Sequence, residues 1–209
     1  MCMRWRPAAR RRGGTAVRTG LDTHREFAAR VTAALAQRLN APFVVADNRF
    51  AAMAGHEALV GLHGALKTLA VALNKIANDI RLMGSGPRAG LSELKLPANE
   101  PGSSMMPGQV NPTQVEALTM VCTQVMGHDV SIGIAATQRR FELNVCKPLI
   151  AVDLLDSLRL RAEVMESFRA HCIQGIEVDA PRAKAMTANS LLGVTALPTA
   201  TLGWICGAC

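Results

Sequence analysis

The sequence predicts a mainly α protein built as a bundle of long helices, and three observations carry that expectation. Hydrophobic residues make up 49% of the 209, ample for a core, while aromatics are 3% and Tyr is absent. Ala and Leu abound, and both lose little rotamer freedom on a helix. Leu59, Leu62, Leu66, Leu69, Leu73, Ile76, Ile80 and Met83 recur at alternating intervals of three and four, the seam of a helix lying lengthwise against partners.

Taken in order, residues 1–12 form a divergent basic tail expected to be disordered, and Gly13-Gly-Thr-Ala-Val17 and Gly20-Leu-Asp-Thr23 make a glycine-punctuated lead-in. Thr23-His-Arg-Glu26 has the capping-box pattern, so a helix should start there, bury Phe27, Val31, Leu35 and Leu39, and end before Asn40-Ala-Pro42. The seam helix is expected from about Asn48, roughly 35 residues and about 50 Å long, stopped by Gly84-Ser-Gly-Pro87. Gly90 to Pro97 alternates briefly and reads as a small strand or extended crossing. A second long helix starts at Pro112-Thr113 and buries Leu118, Val121, Val125 and Ile132. Phe141 to Pro148 interrupts it. A third runs from Leu149 to Cys172 with Val152, Leu155, Leu158, Ala162, Met165 and Phe168 inward, then a short helix spans Ala183 to Leu197 and a loose tail follows from 198 to 209.

Charge and cysteines exclude several functions. The net +7 belongs to the start of the chain: residues 1–18 hold Arg4, Arg6, Arg10, Arg11, Arg12 and Arg18 without an acid, leaving +1 for the rest. With Trp5 the one aromatic among those arginines and no recognised module, nucleic acid is not an expected partner. The Arg-rich start also resembles a mitochondrial transit peptide but lacks serine and amphipathic period. No apolar run reaches the length of a membrane span and no signal peptide is visible, so a cytoplasmic protein is expected. The six cysteines are scattered; only Cys206-x-x-Cys209 is a close pair, which is weak support for a metal, and none is expected.

The chemistry concentrates between Glu100 and Glu116, where three prolines, two glycines and two serines make a long loop between helices. Pro101-Gly102 and Pro107-Gly108 mark tight turns where backbone N–H groups can approach an anion. Ser103 and Ser104 sit beside those donors, without the Gly-x-Ser-x-Gly of a nucleophile elbow. From the bare residues, an activated hydroxyl and a structural serine turn both stand.

Gly102-Ser-Ser-Met-Met-Pro-Gly-Gln-Val-Asn-Pro-Thr-Gln114 closely resembles the signature loop of the fumarase/aspartase superfamily. Leu118-Thr-Met-Val-Cys122, Gln124-Val-Met-Gly127, Phe141-Glu-Leu-Asn144, Ile76-Ala-Asn-Asp-Ile80 and Gly193-Val-Thr-Ala-Leu197 look like class II fumarase in particular. The resemblance implies that 13–147 is part of a central helical-bundle domain, and that 148–197 is its last helix with the start of a small C-terminal helical domain. It implies a homotetramer, fumarate and L-malate as ligands, and reversible hydration without metal or organic cofactor. Ser103 then matches the base at C3; Ser104, Gln109, Val110 and Asn111 match contacts to the substrate carboxylate; Glu116 matches the carboxylate that orients a catalytic histidine.

Departures from the family pattern are specific. Gln109 stands where the family has lysine, and losing a charged hydrogen bond costs roughly 1.5–3 kcal/mol, about ten- to a hundredfold in rate. Arg18 replaces a glycine, and Ala135-Ala-Thr-Gln-Arg-Arg140 replaces a small Gly/Ser-rich loop, its arginines either crowding the packing or adding positive charge. The segment that carries the family's histidine is not found, and His24, His56, His63, His128 and His171 read as helix-face or cap residues. A C-terminal fragment, inactive alone, is therefore the expectation. The alternatives are an aspartate ammonia-lyase relative and a non-catalytic bundle protein that associates with full-length fumarase.

Overall fold

The computed structural model describes residues 23–86, 88–100 and 110–190, and those residues are mostly helical. Six helices occur among them: α1 (Phe27–Leu39), α2 (Arg49–Ala54), α3 (Glu57–Met83), α4 (Thr113–Thr137), α5 (Lys147–His171) and α6 (Ala180–Ala188). Four two-residue strands, β1 (Leu94–Lys95), β2 (Arg139–Arg140), β3 (Leu143–Asn144) and β4 (Glu177–Val178), pair antiparallel as β1 with β4 and β2 with β3. The chain divides into two compact units, Met1–Ala70 with Thr123–Leu160 and Val71–Cys122 with Arg161–Cys209, whose boundaries fall within α3, α4 and α5 or beside them.

In the first unit, α1 starts later than its capping box suggested. Glu26 is the N-cap and makes no side-chain capping bond; its N–H donates instead to His24 Nδ1 at 3.2 Å. The imidazole has taken the Glu26 N–H that the Thr23 hydroxyl was expected to serve. At the other end Asn40 adopts the left-handed region (φ 44°), and Ala41 N–H returns to the Ala36 carbonyl at 3.2 Å, the ending foreseen before Pro42. The expected inward stripe is not buried, since Phe27 is 42% and Leu39 61% exposed.

The seam helix is two helices. Asn48 caps α2 by accepting from Ala51 N–H at 3.0 Å, and the chain then turns extended at Gly55 (φ −77°, ψ 134°) before α3 begins. A Cβ at Gly55 would meet the Ala51 carbonyl oxygen at 2.8 Å, so a side chain there would collide with the backbone that ends α2. The first unit buries Leu66 and Ala70 from α3, Val125, Ile132 and Ala135 from α4, and Ile150 and Leu154 from α5. Asn144 ties the β2–β3 hairpin in: its amide donates to the Ala135 carbonyl at 3.0 Å and its oxygen accepts from Cys146 N–H at 2.8 Å. Ala135 to Thr137 are helical, and Arg139 pairs with Glu57 across the unit. That arginine neither crowds the core nor stands as uncompensated charge.

In the second unit α3 buries Ala77 and Ile80, α4 buries Val115, Leu118 and Cys122, and α5 contributes Val164 and Phe168, with Cys172 just beyond it. The Gly90 to Pro97 stretch is the crossing expected, with β1 set against β4 in the register Leu94–Val178 and Lys95–Glu177. Arg182 clamps that crossing through the Leu91 and Gly90 carbonyls at 3.0 and 3.1 Å. Gly90 fits because any Cβ there would lie 2.2 Å from the Ser85 carbonyl. The last described helix begins at Ala180, capped by Asp179, and ends at Ala188, earlier at both ends than the sequence suggested; residues 191–209, with Cys206 and Cys209, lie outside the described residues.

The face of α5 differs most from expectation. Val152 (56% exposed), Leu155 (64%), Leu158 and Met165 face outward, while Ile150, Leu154, Ser157, Val164 and Phe168 are buried. Both stripes are apolar, so periodicity alone could not say which one this chain covers.

Candidate functional site

Of the six residues singled out for the loop, Ser103, Ser104 and Gln109 lie outside the described residues. Val110, Asn111 and Glu116 are placed at the head of α4 in the second unit. Pro112 lacks an N–H and leaves the helix start open, so the Asn111 carbonyl accepts from Thr113 N–H at 2.9 Å and the Pro112 carbonyl from Glu116 N–H at 3.0 Å. Val110 is 47% exposed and Asn111 half-buried.

Glu116 occupies the first turn of α4, where the helix dipole favours a carboxylate. Its Oε1 accepts from Arg81 Nη2 of α3 at 3.0 Å, both side chains being about half-exposed. Two positions earlier, Gln114 Oε1 accepts from Ser167 Oγ of α5 at 2.8 Å. The head of α4 is thus tied to both neighbouring helices of the unit. On the other side of the loop, Asn99 Nδ2 donates to the His171 carbonyl at 2.8 Å, which fixes the strand of chain leading into it. Chemically this is a carboxylate with a cation beside it, held at a helix N-terminus and open to solvent.

A second polar cluster, in the first unit, went unforeseen. His63 is fully buried, with Nδ1 3.2 Å from Asp129 Oδ1 and Nε2 2.9 Å from Ser157 Oγ. His128 Nδ1 lies 2.9 Å from the same hydroxyl, and its Nε2 is 2.8 Å from Gln124 Nε2. Lys67 donates to Asp129 Oδ2 at 2.8 Å, and Ser131 donates to Asp153 Oδ2 at 2.5 Å. Burial raises the pKa of Asp129, but the hydrogen bonds from Lys67 and His63 outweigh it and hold the carboxyl below its ordinary range. His24 keeps its expected capping role, whereas His63 and His128 belong to this network. The signal was present: His63, Ala70 and Ala77 are seven apart on one seam, and a polar residue on a buried seam must find a partner.

The Asp–His–Ser order has the connectivity of a hydrolytic triad, yet His63 and Ser157 are both 0% exposed, so no substrate can reach the hydroxyl. Cys122, Cys146 and Cys172 are free thiols; burial pushes Cys122 and Cys172 up, which keeps them protonated and unreactive. Among the described residues no group of three His, Cys, Asp or Glu is placed to hold a metal.

Residues 7–127 match the model of a family described as lyase, more than half of the chain. The chain belongs to the lyase family. Within it, the class II fumarate hydratase of Chromobacterium violaceum is 60% identical over 185 residues, which are 88% of this chain and 40% of that protein. The mitochondrial fumarate hydratase 1 of Arabidopsis thaliana is 55% identical over the same length, 38% of its own. Among solved structures, a class II fumarase from Schistosoma mansoni superposes with a TM-score of 0.82 at 43% identity, covering 88% of this chain and 41% of that one. The class II fumarase resemblance read from the loop and its flanking segments is borne out. The chain spans about 40% of the length of the curated relatives it matches.

Proposed function

We propose that this lyase-family chain supplies the signature-loop share of a fumarate hydratase site, a hydro-lyase that interconverts fumarate and L-malate. Ser103 removes the C3 proton of malate, the adjacent carboxylate collects the charge as an aci-carboxylate, and hydroxide leaves from C2 with a proton. Ser104, Gln109, Val110 and Asn111 receive the substrate carboxylate, and Glu116 orients the histidine of the composite site. Stabilising charge as it develops, by groups already in place, is commonly the largest catalytic contribution. No metal or organic cofactor takes part.

The observation that carries the reading is the loop's exit into α4, with Asn111 at the helix entrance and Glu116 one turn inside it, held by Arg81 at 3.0 Å. The outward apolar faces support assembly as a homotetramer through long helices: Leu69 and Ile76 on α3 are 39% and 46% exposed, and Val152 and Leu155 on α5 more so. Among the described residues no helix is long and apolar enough to cross a membrane. A cytoplasmic location goes with this reading.

The test uses the purified chain with and without a full-length class II fumarate hydratase whose own signature-loop serine has been replaced by alanine. Alone, the chain leaves the fumarate absorbance band unchanged. Mixed, it restores hydration, and Ser103→Ala in this chain removes what was restored. Association without restored turnover would favour the non-catalytic bundle protein instead.

A further inference from the structure

Inside a helix a threonine hydroxyl commonly closes on a carbonyl one turn back. Thr68, Thr119, Thr137 and Thr187 do so, donating at 2.7–2.9 Å to the carbonyls of Gly64, Glu116, Ile134 and Ala183. Thr113, at the head of α4, does not. Its Oγ1 is shut off from solvent and has no hydrogen-bond partner. Such a hydroxyl destabilises the fold, whereas a valine of nearly the same shape would not.

The helix start explains why the hydroxyl is left over. Thr113-Gln-Val-Glu116 has the spacing of a capping box, in which a threonine just outside the helix would accept from the Glu116 N–H and the glutamate would reach back. Here the pattern is one residue out of register, because Thr113 is already the first residue of α4. The Glu116 N–H is met by the Pro112 carbonyl at 3.0 Å, and the Glu116 carboxylate by Arg81 at 3.0 Å. No helical turn precedes Thr113 to offer the carbonyl that the other threonines use. Its neighbours in sequence are the residues of the proposed site: Asn111 two positions before, and Glu116 three after, on the same face of the first turn.

We infer that Thr113 is a further substrate-binding residue, whose hydroxyl, unmet within the chain, donates to the carboxylate that Asn111 receives. This rests on the fumarate hydratase reading of the loop. An ionised carboxylate only accepts, so it suits a hydroxyl that has a proton to give. A hydrogen bond to a charged acceptor is also stronger than one between neutral groups. Because Thr113 has no internal bond to surrender first, the contact is gained in full when the dianion enters. Stability given up in the chain by itself is thus recovered in the complex.

The experiment compares Thr113→Val and Thr113→Ser with the wild type, each in the full chain. In urea denaturation of the chain alone, Thr113→Val is expected to raise the midpoint, since it removes the unmet hydroxyl at similar volume and helix propensity. A lowered midpoint would mean that the hydroxyl already holds structure, and would overturn the assignment. In the mixed assembly with the serine-to-alanine full-length fumarate hydratase, Thr113→Val is expected to cut the restored kcat/KM for L-malate by about ten- to a hundredfold. Thr113→Ser, which keeps the hydroxyl, is expected to retain most of it. A purely structural threonine would lose stability and turnover together, not gain one and lose the other. If Thr113→Val restores hydration as well as the wild type, or Thr113→Ser fails as Thr113→Val does, the assignment falls while the fumarate hydratase reading stands. A wild-type chain that restores no hydration brings down that reading, and this one with it.

Discussion

Asp129 and Glu116 sit on the same helix, and each takes a cation from α3, but their surroundings set them to different work. Asp129 belongs to the first unit, is 18% exposed, and has both oxygens engaged, Oδ1 with His63 and Oδ2 with Lys67. Glu116 belongs to the second, is 41% exposed, and receives Arg81 on Oε1. A carboxylate with both oxygens held by α3 and mostly shielded from water holds structure; one set at the solvent-facing start of a helix beside the signature loop is more open to solvent. Burial, rather than the presence of an ion pair, separates the two.

The largest expected effect comes from breaking the buried side. His63→Ala leaves Asp129 without its buried partner and opens a cavity between α3 and α5 where the ring met Ser157, and should destabilise the fold by about 3–5 kcal/mol in urea denaturation. Ser157→Ala removes the hydroxyl common to both histidines while leaving His63 against Asp129, so a smaller loss of about 1–3 kcal/mol is expected. If the two variants cost the same, the hydroxyl rather than the His63–Asp129 contact would hold the cluster.

Asp129 also fixes how this side responds to acid. Its folded pKa is depressed, with the Lys67 and His63 hydrogen bonds outweighing burial, so its stabilising contribution is present above the unfolded value of about 4 and is lost as pH falls through the lower folded value. Asp129→Asn should therefore flatten the acid limb of the stability curve below about pH 4, read by circular dichroism. A limb of unchanged steepness would assign acid unfolding to other carboxylates, of which Glu57 is one: its own backbone N–H and then Arg139 lower its pKa too.

How much of this was legible follows the same division between buried and open faces. Helix existence was readable, because apolar spacing and the Asn40 and Gly84 stops need no tertiary information. Which face goes inward was not: on α3 the buried set is His63, Leu66, Ala70, Ala77 and Ile80, while Leu69 and Ile76, counted in the seam, lie outward. At 0% exposure Ala70 and Ala77 are, with His63, the most completely buried members of that set, and their small side chains leave room for a neighbour to pack close. On α5 the choice failed for the same reason, two apolar stripes competing for one core. The break at Gly55 was missed because a glycine in a helical pattern costs only about 1 kcal/mol and is often tolerated. The loop was legible as a motif, since its prolines and glycines carry the pattern without any fold. The His63 network needed the third dimension, its members being 94 residues apart from His63 to Ser157.

The smallest stability effect, and the sharpest test of the comparison, is Arg81→Ala. An exposed ion pair contributes roughly 0–1 kcal/mol, so the urea midpoint should scarcely move, in contrast to His63→Ala. Function should respond differently. If Glu116 orients a histidine in the mixed assembly described above, removing the guanidinium frees the carboxylate to rotate, and restored hydration should fall about tenfold, equivalent to ~1.4 kcal/mol. The loss should appear in kcat with KM little changed, because the carboxylate acts on the reacting geometry rather than on substrate capture. Arg81→Lys should recover part of it, since a point charge restores attraction without the planar fork. A variant that lost stability and activity together would place Arg81 with the buried side, as a structural tie for the first turn of α4. One that lost neither would leave Glu116 positioned by the helix start alone, with Gln114 and Ser167 as the contacts that hold it in place.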